Sequence, residues 1–363
     1  MLRRTFLASP GAAAFSPQSS AAVSRRIPLG FDTYSLRAFH WKALELIDYA
    51  AGLHLDTIQI SSLGDYESLD AAYLARVKER AARAGLTLDA GIGCVCSTSA
   101  SWKPEYGSAE EYLIKGMTVA RAVGAGVMRC FLGSAAERGG AVPIEAHMEA
   151  VIRAFRAVRS RALDLGVAIA LENHNGDVTA REVRTIVEES GKDFTGSNLD
   201  TGNPMTVMED PLEALEILAP YVRTTHIRDS VLFAHPRGAA FQWVALGDGQ
   251  IDFARFRDRF AQLCPTAKWQ LEIITGRPPK PIPYLERDHW KAFPKMPAAD
   301  FSRFLALERR GRPYSGFMVT ADGMSKPPAP YTAALKEQQR YDLERSLRYA
   351  QETLGVGVRR HEG

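Results

Sequence analysis

Residues 166–177 read GVAIALENHNGD. A strand-like run of Val, Ala, Ile and Leu stops abruptly at Glu172, Asn173, His174 and Asn175, four polar groups able to hold a metal ion or a hydroxylated ligand. One carboxylate at a strand end is ordinary capping chemistry. The fold and the function both depend on whether other strands of the chain end in the same way.

They do. From Ile27 onward, short β-rich runs alternate with longer stretches of helical period, the signature of repeated βα units. The runs are IPLGFDT, DTIQIS, LTLDAGI, GVMRCFLG, GVAIALEN, FTGSNLD, VRTTHIRD and KWQLEII. Between them lie amphipathic segments such as DAAYLARVKERAARAG and AREVRTIVEESG, several closed by a glycine where a helix C-cap needs one. The last helix is expected in EQQRYDLERSLRYAQETLG. Strand–helix alternation repeated eight times predicts an α/β protein of the (β/α)8 TIM-barrel class. No Gly-x-Gly-x-x-Gly follows the first strand, which excludes the dinucleotide-binding doubly wound sheet. Residues 27–363 form one barrel domain on this reading. Residues 276–336, rich in proline and placed between strand eight and its helix, form an insertion that serves as a lid or as an arm reaching a neighbouring subunit of a homo-oligomer.

Composition bounds the partners. The 363 residues carry 45 Lys and Arg against 42 Asp and Glu, a balance that offers no electrostatic footprint for nucleic acid. The four cysteines, Cys94, Cys96, Cys130 and Cys264, have no C-x-x-C spacing and read as buried thiols. Nothing approaches a membrane-spanning length. Residues 1–26 differ from the rest: Arg3, Arg4, Phe6 and Leu7 followed by an Ala- and Ser-rich stretch read as a twin-arginine export signal and linker, which places the protein in the periplasm or beyond. Without export it is cytoplasmic.

In a closed barrel the reacting groups come from the C-terminal ends of strands. The fifth strand ends in Glu172, the sixth in Asp200 of NLDTGNP, the seventh in His226 of THIRDS and the eighth in Glu272 of LEII. Two glutamates, an aspartate and a histidine delivered to one rim form a chelating set for a divalent cation. The absence of thiolates favours Mn²⁺, with Co²⁺, Mg²⁺ and Zn²⁺ as alternatives. Clustered without a cation, the carboxylates would incur like-charge repulsion and desolvation.

The segments LENHNG, LDTGNP, HIRD, LGDGQIDF and LEII, in this order, resemble the xylose-isomerase-like sugar isomerase/epimerase superfamily of metal-dependent barrels. The resemblance implies one metal ion held by Glu172, Asp200, His226 and Glu272, with Glu172 and Glu272 as an acid/base pair on opposite faces of a ketose. Proton abstraction next to the carbonyl would give a metal-stabilised enediolate. The expected substrate is a small carbohydrate or glycoside. The pattern departs from many sugar epimerases at Asn203, where they carry a histidine. Asn203, His174, Arg228, Asp229 and Trp243 are the expected substrate contacts, and Tyr34 is a further aromatic able to stack on a sugar face. The superfamily's abasic-site endonucleases need additional histidines at strand ends, and His40, His54, His147, His235, His289 and His361 do not fall there. The closer rival is a 3-keto-glycoside lyase or hydrolase, which uses the same metal and glutamates to expel the aglycone.

Overall fold

In the computed structural model, residues 26–321 and 324–359 are described. The expected export segment, residues 1–26, lies outside them except for Arg26. The eight expected strands all form: β1 (Leu29–Asp32), β2 (Thr57–Ile60), β3 (Thr87–Cys94), β4 (Val127–Phe131), β5 (Ala168–Glu172), β6 (Thr195–Asp200), β7 (Val222–His226) and, after a hairpin, β10 (Trp269–Leu271). They pair in parallel in the order β10, β1, β2, β3, β4, β5, β6, β7. The ring closes between β7 and β10 through an Ile227–Leu271 bridge, with Ile227 N donating to Gln270 O at 2.8 Å. This is the (β/α)8 barrel.

Alternation along each strand sorts the side chains. Outward residues such as Leu29, Phe31, Ile58, Met128, Ile169, Leu171, Leu199 and Trp269 are buried against the helices and make up the main core. The inward set is polar. Thr224 Oγ1 on β7 donates to Asp89 Oδ2 on β3 at 2.7 Å, and Lys268 Nζ reaches Asp89 Oδ1 at 2.8 Å. Gln270 Nε2 donates to Thr57 Oγ1 at 2.8 Å. Such contacts between non-adjacent strands are possible only through the centre of the ring. Gly30 is required there, because a Cβ on it would sit 1.9 Å from Thr57 O.

Helices 43–52, 71–83, 109–122, 180–190, 211–218 and 253–263 fall where the sequence pattern places them. The long stretch after β4 divides into Ile144–Ala157 and Arg159–Leu165, and Gly166 at φ +63° caps the second. Three features depart from the sequence expectation. An antiparallel hairpin of β8 (Asp229–His235) and β9 (Gly238–Val244) follows β7. The insertion is structured: β11 (Lys280–Ile282) pairs with β9, and a helix spans Ala298–Arg310. The final helix starts at Ala329, eight residues before the expected Glu337, because Pro330 sits in its first turn where no intrahelical N–H is needed.

The hairpin, the insertion and the loop after β6 share a second core of Met205, Leu232, Phe241, Trp243, Ile282, Phe293 and Phe304 on the rim. At the opposite face the two ends of the described chain meet. Gly357 N donates to Ile27 O at 2.8 Å, and Asp56 accepts from Leu29 N, Val358 N and Arg359 N. All four cysteines are buried free thiols. No helix among the described residues is long and apolar enough to cross a membrane.

Candidate metal centre

The polar run after β5 has a job for nearly every residue. Glu172, the last residue of β5, points into the ring. The Asn173 side chain imitates a strand backbone, donating to Asp200 O at 2.9 Å and accepting from Asp200 N at 2.8 Å, so the ends of β5 and β6 are fixed together. His174 stacks on Phe131 with centroids 4.1 Å apart, and its Nδ1 lies 2.7 Å from Gly133 O. Gly176 takes φ +79°, which turns the chain so that Asp177 Oδ2 accepts from Gly133 N at 2.9 Å. On β6, Asp200 Oδ1 accepts from Gly202 N at 2.8 Å and Asn203 N at 2.7 Å, the turn that DTGN encodes, and Oδ2 is left facing inward.

Four predicted ligands converge. One ligand atom each from Glu172, Asp200, His226 and Glu272 lies within 4.8 Å of all the others, and all four residues are buried. His226 Nδ1 is 3.4 Å from Glu172 Oε1, 3.9 Å from Asp200 Oδ2 and 3.4 Å from Glu272 Oε2. Its other nitrogen, Nε2, faces Asp32 Oδ2 at 3.4 Å and the Gln59 amide, which orients the ring. Burial alone would lower the His226 pKa, but Glu272, Glu172 and Asp32 outweigh it and hold the imidazole well above its usual value.

A divalent cation fits this set. His226 Nδ1 and Glu272 Oε2 are buried and make no hydrogen bond, although both aim at the centre of the cluster. Arg228 Nη1 stands 2.7 Å from Glu272 Oε2 without the alignment of a hydrogen bond. Four buried carboxylates, Asp32, Glu172, Asp200 and Glu272, face two buried guanidinium groups, Arg129 and Arg228. With His226 neutral, as a ligand must be, the deficit equals the charge of one divalent ion.

Two arginines set the electrostatics. Arg228 pairs with Asp200 through Nη2 and Nε and lies 5.1 Å from the centroid of Trp243. Arg129, which sequence reasoning did not single out, donates from Nε to Glu172 Oε2 at 2.6 Å and also pairs with it through Nη2. Burial raises the Glu172 carboxyl, but Arg129 and His226 take it well below the usual range. Burial raises Glu272 too, and Arg228 and His226 bring it down to about 2. Burial lifts Asp200 to about 6 in spite of Arg228.

A cavity of about 300 Å³ opens over the cluster, lined by Tyr34, Ser61, Arg129, Phe131, His174, Asn175, Arg228, Trp243, Glu272, Ile274 and Arg277. Of the four clustered residues only Glu272 lines it. Of the expected substrate contacts, His174, Arg228 and Trp243 line it, and Asn203 and Asp229 do not. Asn203 Nδ2 instead donates to Glu172 Oε1 at 3.1 Å. Asp229 is occupied by backbone: Oδ2 accepts from Gly247 N and Gly249 N at 3.1 and 3.0 Å, and Oδ1 from Ser230 N at 2.8 Å. It ties the LGDGQ loop to the start of the hairpin.

Comparison with known proteins agrees with the barrel fold. The sequence model of a family described as xylose isomerase-like TIM barrel matches residues 47–282. A 3-oxo-isoapionate decarboxylase of Pectobacterium atrosepticum is 26% identical over 240 residues, which cover 62% of this chain and 78% of that protein. Among solved structures, a D-psicose 3-epimerase superposes with TM-score 0.58 at 17% identity, covering 91% of this chain and 100% of the other. A 3-keto-D-glucoside 4-epimerase from E. coli gives TM-score 0.53 at 15% identity, covering 77% and 98%. At these identities the solved structures speak for the fold alone.

Proposed function

The chain belongs to the xylose isomerase-like TIM-barrel family, and from that premise we propose that it is a divalent-cation-dependent isomerase or epimerase of a keto-sugar. The observation that carries the reading is a pair of buried atoms that make no hydrogen bond, His226 Nδ1 and Glu272 Oε2, inside a four-residue cluster at the floor of a cavity. When bound, the cation supplies Lewis acidity that draws charge from a substrate carbonyl and acidifies the neighbouring C–H. Three carboxylates and an imidazole without thiolate suit Mn²⁺ ahead of Co²⁺, Mg²⁺ or Zn²⁺.

Glu272 takes the proton. It is the one ligand that faces the cavity, and a carboxyl held near 2 is ionised at neutral pH. So acidic a conjugate acid makes it a weak base, which is why the substrate proton must be made labile first. His174 takes the second acid/base role. With Nδ1 engaged by Gly133 O, its Nε2 is the nitrogen available to the cavity. Arg228 and Trp243 grip the sugar, one by hydrogen bonds and one by its ring face. Glu172 serves as a ligand only, because Arg129 occupies the oxygen that a base would need.

That last observation also favours a second reading, elimination from a 3-keto-glycoside. One carboxylate facing the cavity suffices to remove a proton, and the enediolate then expels the aglycone from the adjacent carbon. Proton NMR in D₂O with free ketoses and 3-keto-glycosides decides. Deuterium gained with inversion or aldose–ketose exchange is the expected result, aglycone release selects the second reading, and no exchange on any substrate overturns both. Export through the twin-arginine segment would load the cation in the cytoplasm before translocation. Elemental analysis of periplasmic protein should then find manganese, and zinc or copper in its place would count against it.

A further inference from the structure

A second cavity, of about 320 Å³, lies between the insertion and the rim, lined among others by Gly176, Phe241, Ile282, His289 and Phe293. It flanks the same pieces of chain as the reaction cavity. Asn175 lines one and Gly176 the other. Trp243 lines one and Phe241 the other, and these alternate residues of β9 share a face with ring centroids 5.1 Å apart. Its far wall, residues 283–293, belongs to the insertion after the last barrel strand, beyond the stretch 47–282 that the family model matches.

We infer that this second cavity holds an aromatic aglycone of a keto-glycoside whose sugar ring occupies the reaction cavity. The inference rests on the reading of the metal centre as acting on a keto-sugar. Cavities of about 300 and 320 Å³ side by side suit a substrate of two rings. Phe241, Pro281, Ile282, Pro283 and Phe293 offer apolar walls and ring edges. An aromatic ring gains about 0.5–1.5 kcal/mol from each well-placed aromatic contact. A second sugar would bury hydroxyls against these walls, at about 1–3 kcal/mol for each left unpaired. Of the three charged residues in its lining, Arg138 is engaged by Glu182 and Asp288 by Lys291, and Lys280 is exposed to solvent. His289 Nε2 is buried with no hydrogen-bond partner, and its ring packs on Phe293 at 5.1 Å, so one phenolic or glycosidic oxygen can be met there.

The test compares phenyl and methyl 3-keto-glucosides on the metal-loaded enzyme, wild type and Ala292→Trp, which fills the cavity from the insertion side. The phenyl compound should have the higher kcat/KM by about tenfold or more in wild type, and Ala292→Trp should narrow the ratio to within about twofold. A wild-type ratio near one, a ratio unchanged by the substitution, or a 3-keto-disaccharide preferred over the phenyl compound overturns the inference. Calorimetric binding of unoxidised phenyl and methyl glucosides needs no turnover. Tighter phenyl binding that Ala292→Trp abolishes supports the subsite even if neither keto-glucoside reacts, in which case the reading of the metal centre is what fails.

Discussion

Arg129 and Glu272 divide the two glutamates into different kinds of residue. Glu272→Gln keeps a carbonyl oxygen for the cation and loses the base, so turnover should fall by about 10²-fold or more while bound metal, measured by elemental analysis, stays near stoichiometric. Glu172→Gln should behave differently: it leaves the Arg129 guanidinium buried without its anion, so metal content and melting temperature fall together, at a cost of about 3–5 kcal/mol. Equal metal retention in the two variants would remove the distinction. Glu209 offers a separate test of buried charge. Fully buried and bonded to Ala180 N by both oxygens, its carboxyl is pushed up to about 8. A folded pKa above the unfolded one contributes stability that is complete below about pH 4.5 and is lost as pH rises toward 8. Glu209→Gln should therefore flatten the decline of melting temperature between pH 5 and 8 and raise it by a few degrees at pH 8, as read by calorimetry. The four proposed ligands were legible because Glu172, Asp200 and His226 each end a strand and Glu272 directly follows one. Arg129 was not, because it sits inside the apolar run GVMRCFLG, where only the pairing of β4 with β5 shows that it reaches Glu172. The available signal was the charge itself: a parallel barrel strand covered on both faces seldom carries an arginine without a partner.

At the scale of elements, the repeating strands and helices were readable because apolar outward positions recur with the right period and the polar ends fall at the rim. The β8–β9 hairpin escaped. Its two-residue turn is Pro236-Arg237, not Asn-Gly or Gly-x, so the local sequence gives no hairpin signal, and both of its faces carry apolar residues. Asp229 carries the consequence. Asp229 staples the amides of Gly247, Gly249 and Ile251 and that of Ser230, so its replacement by Asn puts an amide donor against backbone donors. Asp229→Asn should cost about 1–3 kcal/mol, measured by denaturant unfolding, and increase hydrogen exchange at Gly247 and Gly249. A variant as stable as wild type with unchanged exchange would show that the loop is held by other contacts. The insertion was located by its prolines, but its internal helix and its pairing to β9 depend on a surface, the hairpin, that the sequence did not reveal.

For the whole molecule, the placement of the polar layer along the centre of the ring would make a bound cation part of the structure as well as of the proposed chemistry. Ligand binding stabilises by about 3–4 kcal/mol at 100 to 1,000 times the dissociation constant. Chelation should lower the melting temperature by several degrees and Mn²⁺ should restore it; a transition indifferent to chelator would separate the cluster from metal binding. The other end of the ring has a different meaning. Where Gly357 N bonds to Ile27 O, the last described residues come back to the start of the barrel on the side away from the cavity. Topologically the barrel is a hoop cut once, and the cut can be moved. Joining Arg359 to Arg26 by a short flexible linker and reopening the chain between Lys192 and Asp193, an exposed helix-to-strand loop on that same side, should give a circular permutant with an unchanged barrel and an undisturbed mouth.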